Sequence, residues 1–86
     1  MGKEKIINDL MAAADNGEEI TIVWTIDEFN GLVVHFVPDA VELNGDILLI
    51  YEGENTFIMD ISKEIRYPQV GVYFFETKHG EIKIII

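Results

Sequence analysis

The chain has 86 residues, 49% of them apolar, with sixteen carboxylates against six Lys and Arg, a formal net charge of −10 and no cysteine. That length sustains one domain, residues 1–86, with a modest core. Absent cysteine excludes a disulfide framework, a thiolate zinc site and a cysteine nucleophile, and an unstapled domain of this size fits a cytoplasmic setting.

Residues 3–16 have the spacing of a helix. Ile6, Ile7, Leu10, Met11 and Ala14 recur at three and four residues and form one apolar stripe, and Asn16-Gly17 is a stop signal. Asp9 and Asp15 interrupt the apolar residues behind Lys3 and Lys5, so this is not a signal peptide. No run approaches the ~18 consecutive apolar residues that span a bilayer.

After Gly17 the period changes to two. Glu19 to Ile26 alternates, with Ile20, Ile22, Trp24 and Ile26 on one face. Residues 27–31 form a turn, and Leu32 to Val37 return as a strand ended by Pro38. Val41–Leu43, Asn44-Gly45 and Asp46–Tyr51 predict a hairpin with an Asn-Gly type I′ turn. Residues 52–55 turn again into a strand at Thr56–Ile61. Ser62 to Gln69 is expected to be irregular, with one helical turn closed by Pro68. Val70–Thr77, a turn at Lys78-His79-Gly80, and Glu81–Ile86 complete a last hairpin.

The fold class is therefore α+β: an N-terminal helix, then an antiparallel β-meander of about seven short strands over 18–86. Several strands are apolar on both faces. Leu48 and Ile50 oppose Ile47, Leu49 and Tyr51; Tyr73 and Phe75 oppose Val72 and Phe74. Such a sheet needs cover on both sides. Either it curls into a small SH3-like or Sm-like barrel, or a second subunit covers the remainder. The apolar strand at Ile82–Ile86 needs a partner for its edge, in the same chain or in another; the second case would be homo-oligomerisation through the C-terminal strand.

Few residues suit chemistry. The single serine, Ser62, has no nucleophile frame around it. His35 lies mid-strand and His79 in a turn, and neither belongs to a metal-binding motif. The glycines are scattered at turns rather than gathered in a phosphate loop. No catalytic, cofactor or metal site is expected.

Charge placement is the unusual feature. No Lys or Arg occurs between Lys5 and Lys63, a span holding twelve carboxylates. Such a surface repels nucleic acid and attracts a basic protein. The expected function is a non-enzymatic acidic protein-interaction domain. Its partner-binding residues would be the acidic turn residues Asp27, Glu28, Asp39, Glu42, Asp46, Glu52 and Glu54, with Phe29 as an aromatic anchor among them. Small size, acidity and absent cysteine are shared with phage-encoded inhibitors that mimic DNA or block host nucleases and defence proteins, anti-CRISPR proteins among them. That comparison concerns size and charge, not a motif. The partner would be a basic, nucleic-acid-binding protein, with no membrane or nucleic acid bound directly. The alternative is a self-associating assembly module on a small β-barrel.

Overall fold

The computed structural model describes residues 2–28 and 31–86. One helix, α1 (Gly2–Asn16), precedes eight strands: β1 (Ile20–Thr25), β2 (Gly31–Phe36), β3 (Ala40–Asn44), β4 (Ile47–Glu52), β5 (Asn55–Asp60), β6 (Ile65–Gln69), β7 (Val72–Thr77) and β8 (Gly80–Ile85). The α+β class and the antiparallel pairing hold, but the strands do not form one meander. They make a five-stranded sheet, β2-β1-β8-β7-β6, and a three-stranded sheet, β3-β4-β5, and the two do not close into a barrel.

The helix ends as its sequence dictates. Gly17 takes a φ of 67°, and the Gly17 and Glu18 N–H groups donate back to the Ala14 and Ala13 carbonyls, a Schellman closure. Ile6, Leu10 and Ala13 are the buried positions, whereas Met11, expected in the stripe, is exposed. The buried stripe centres one residue away from the expected one because α1 packs along β3 and β6 and leaves the Met11 side to solvent. Tyr73, fully buried on β7, donates its hydroxyl to the Asp9 carboxylate on α1. Burial first, and then the hydrogen bond and charge of Asp9, hold this phenol well above the ordinary tyrosine range.

Four hairpins have two-residue loops: Gly45-Asp46, Gly53-Glu54, Val70-Gly71 and Lys78-His79. The first corrects the expected Asn44-Gly45 turn. Asn44 pairs with Ile47, and Gly45 takes a positive φ (64°) while Asp46 does not, so the turn is not type I′. The register is set by packing: it turns Leu48 and Ile50 inward, where both are fully buried.

The segment expected to be irregular also differs. Ile65–Gln69 is an edge strand paired with β7, and its register shifts between Arg66 and Gln69. Pro68 is tolerated because an edge bulge requires no N–H from it. The C-terminal strand differs most. β8 is central in its sheet, with β1 and β7 on its two sides, so both of its edges are paired within the chain. It leaves no edge for a second copy.

The two sheets face each other across one core. Ile20, Ile22, Tyr73, Phe75, Ile82 and Ile84 come from the larger sheet, and Leu48, Ile50 and Met59 from the smaller. Pro38 and Ile61, both buried, lie on the two connections between the sheets. α1 fills the seam between the edge strands β3 and β6. At the opposite seam, β2 and β5 meet through the stacked rings of Phe36 and Phe57, 4.6 Å between centroids.

Gly80 locks β8 against β1. Its φ is +129°, and a Cβ there would collide with the Thr25 carbonyl oxygen and lie 3.0 Å from the Ile26 Cα. A Cβ on Gly45 would meet nothing within 4 Å. Gly45→Ala is therefore expected to cost about 1–2 kcal/mol, the left-handed backbone penalty alone. Gly80→Ala is expected to cost at least about 3 kcal/mol, because a backbone clash adds to the strain. Urea unfolding of the two variants side by side checks this, and equal losses would contradict the position of Gly80.

Candidate partner-binding surface

The smaller sheet has one covered face and one bare face. Leu48 and Ile50 point into the core, so Ile47, Leu49 and Tyr51 point out. Cross-strand pairing sets Glu42, Leu49 and Ile58 in one row, Ala40, Tyr51 and Thr56 in the row above, and Asn44, Ile47 and Asp60 in the row below. The centre of this face is apolar. Ile58 is 68% and Ile47 37% exposed, while Leu49 and Tyr51 are half-buried by their neighbours in the sheet.

Carboxylates surround that centre. Asp39, Glu52 and Glu54 come together at one end, where the Asp39 Oδ2 accepts the Gly53 N–H at 2.6 Å. Glu42 lies on the face itself and accepts the Tyr51 hydroxyl at 2.9 Å. Its hydrogen bond first, with burial and its charge adding, raises the Tyr51 phenol above the ordinary value of 10.0. Asp46 sits in the turn at the far end, ion-paired with Lys3. Asp60 closes the same end. Hydrogen bonds from Ser62 first, then the charges of Lys78 and Lys63, hold its carboxyl below the ordinary range.

The residues proposed from sequence thus divide. Glu42 lies on the bare face, with Asp39 and Glu54 at one end of it and Asp46 at the other, while Glu52, at that first end, alternates to the covered side with Leu48 and Ile50. Asp27 and Glu28 are exposed on the connection between β1 and β2, on the other sheet. Phe29 lies outside the described residues. Sequence reasoning missed Ile47, Leu49, Tyr51, Ile58 and Asp60. Their signal was present in the two-faced apolarity of β4, but which face would stay bare depends on the inter-sheet packing.

The outer face of the larger sheet is finished differently. Phe74 lies between Arg66 on β6 and Lys83 on β8, whose cationic groups stand 5.7 and 5.5 Å from its ring centroid. Arg66 also pairs with Glu81 at 2.7 Å. His35, exposed on this face, bonds Thr21 across the strands at 2.9 Å. Two of the six basic residues therefore cover this sheet's central outward aromatic, and no cation–π contact covers Tyr51 among the described residues.

A cleft of about 570 Å³ opens beside the Phe36–Phe57 stack, between the inner face of the larger sheet and the edge strand β5, and it reaches round that edge to Ile47, Ile58 and Asp60 of the bare face. Trp24 forms part of its wall and donates its indole N–H to the His79 carbonyl at 3.2 Å. Among the described residues no group of three His, Asp or Glu side chains could hold a metal ion, and no helix is long and apolar enough to cross a membrane.

No family model matches this sequence, and no curated protein or solved structure matches the chain at a significant level. The geometry alone therefore carries the functional reading.

The Tyr51–Glu42 contact has a pH signature. The fold favours the neutral phenol, so its contribution is complete below pH 10 and is lost as pH rises through the raised folded-state value. Glu42→Gln is expected to bring the Tyr51 titration back towards 10.0. Ultraviolet difference titration against Tyr51→Phe isolates this phenol, and an unchanged midpoint in Glu42→Gln would contradict the contact.

Proposed function

We propose that this chain is a non-enzymatic, cytoplasmic protein-interaction domain that docks the outer face of β3-β4-β5 onto a basic protein surface. The observation that carries the proposal is the bare apolar centre at Ile47, Leu49, Tyr51 and Ile58, with Glu42, Asp39, Glu54 and Asp60 around it. An apolar centre inside a charged rim is the anatomy of a docking face: the centre supplies binding energy on desolvation, and the rim sets partner choice and association rate. The carboxylates flank an apolar patch rather than forming an even array. That favours a protein surface with its own apolar anchor over a plain phosphate-binding channel. Nucleic-acid-binding proteins, the targets of acidic phage-type inhibitors, are the partner class that this rim suits.

A second reading, self-association, moves from the C-terminal strand to β2. This edge strand has no Asp, Glu, Lys, Arg or Pro, and it exposes Leu32 and Val33. It lacks the usual devices that keep edges apart.

Affinity capture with three baits distinguishes the readings: the unaltered protein, the double variant Glu42→Lys/Glu54→Lys, and Ile58→Ser. The unaltered bait is expected to retain a basic protein that high salt releases. Both variants are expected to lose it, with binding weakened at least about tenfold. Their urea midpoints should stay near that of the unaltered protein, because exposed side chains carry little folding energy. Equal retention by all three baits would refute this docking face, and recovery of the chain alone would support self-association.

A further inference from the structure

The fold has two seams between its sheets and one helix to fill them. α1 occupies the seam at β3 and β6, and the seam at β2 and β5 is closed at one point by the Phe36–Phe57 stack. Beyond the stack the core opens into the cleft of about 570 Å³, within the size range of sites for single small molecules. Its walls are apolar, formed mainly by Ile22, Trp24, Val34 and Ile82 on one sheet and Phe57 and Met59 on the other. A polypeptide strand running along the free edge of β5 would have to pass the ring stack, so the cleft suits a compact ligand better than a through-going peptide.

The basic residues show where a charged group would sit. Lys3 is paired with Asp46 and Arg66 with Glu81; Lys5 lies over Tyr67, and Lys83 over Phe74. Lys63 and Lys78 are the two with no direct ion pair or cation–π contact among the described residues, and their charges act at longer range on Asp60. Both line the mouth of this cleft. The two ammonium groups thus stand at an apolar opening in a chain that holds sixteen carboxylates. Asp60, also at the rim, is engaged by the Ser62 N–H at 2.9 Å. With Glu76 it balances the two lysines, so the rim is neutral in a chain of net charge −10.

We infer that the cleft between β2 and β5 binds a small apolar carboxylate, its hydrocarbon part against Trp24, Val34 and Met59 and its carboxylate between Lys63 and Lys78. Burial of the hydrocarbon provides the affinity, and the lysines select the head group. An amine of the same shape would meet two ammonium groups, and an alcohol would bring no charge to them.

Trp24 is the only tryptophan and forms part of the wall, so its emission reports occupancy directly. Decanoate, decanol and decylamine would be titrated into the unaltered protein, into Lys63→Gln/Lys78→Gln, and into the cleft-filling variant Val34→Phe. The expected result is a saturable change in Trp24 emission with decanoate, binding most tightly of the three. Decanoate should weaken about tenfold or more in the double variant, the equivalent of one charge-assisted contact, while decanol is unaffected. Val34→Phe should abolish the response. Absence of a saturable response to decanoate overturns the site. Equal affinity for the three head groups, or an unchanged decanoate affinity in the double variant, overturns the role of the lysines. The two lysines are exposed, so that variant folds and decides the matter even where Val34→Phe does not.

Discussion

Two apolar sheets laid face to face leave a gap along each flank, and each gap must be filled or exposed to water. This chain has a single helix for the purpose. Ile6, Leu10 and Ala13 enter the core beside β3 and β6, and Tyr73 reaches across to Asp9 to tie helix to sheet. The other flank receives only the Phe36–Phe57 stack. The cleft at Trp24 and Met59 and the unpaired edges of β2 and β5 follow from that asymmetry. The long-range pairing of β1 with β8 joins the first and last strands side by side in the interior of the larger sheet.

The same scarcity governs the surface. With six basic residues, the chain covers one outer face and leaves the other bare. Arg66 and Lys83 lie over Phe74 on the larger sheet, where their aliphatic stems also shield apolar surface. Among the described residues no cation–π contact stands over the corresponding face at Tyr51. The charged residues beside Leu49 and Ile58 on this face are the carboxylates Glu42 and Asp60, whose short, anionic side chains shield apolar surface poorly. Folding stability and the proposed partner recognition therefore draw on opposite faces of the smaller sheet: Leu48 and Ile50 inward, Ile47, Leu49 and Tyr51 outward.

Much of the local structure is legible in the sequence, because it depends on local patterns. The helix and its glycine stop, the alternation of Ile20, Ile22 and Trp24, and the hairpins around Gly45 and Gly53 all follow from periodicity and turn chemistry. What escaped depends on distant partners. β6 carries Arg66 and Pro68 and has little strand character of its own; it is a strand because β7 offers it an edge. The C-terminal strand looked like a free edge because nothing local shows that β1 pairs with it. The candidate site is similar. The acidic turns were visible, but the grouping of Asp39 with Glu52 and Glu54, and their distance from Asp27 and Glu28, required the register of β3, β4 and β5 and the separation of the two sheets.

Residue-resolved amide hydrogen exchange tests the open seam most directly. In an antiparallel edge strand, alternate N–H groups face away from the neighbour and exchange readily, while a central strand protects its amides on both sides. Protection is therefore expected along β1, β8, β7 and β4, and in alternate residues only along β2 and β5. Continuous protection through both β2 and β5 would mean that these edges pair, with each other or with another chain. The open flank, and the cleft derived from it, would then be wrong.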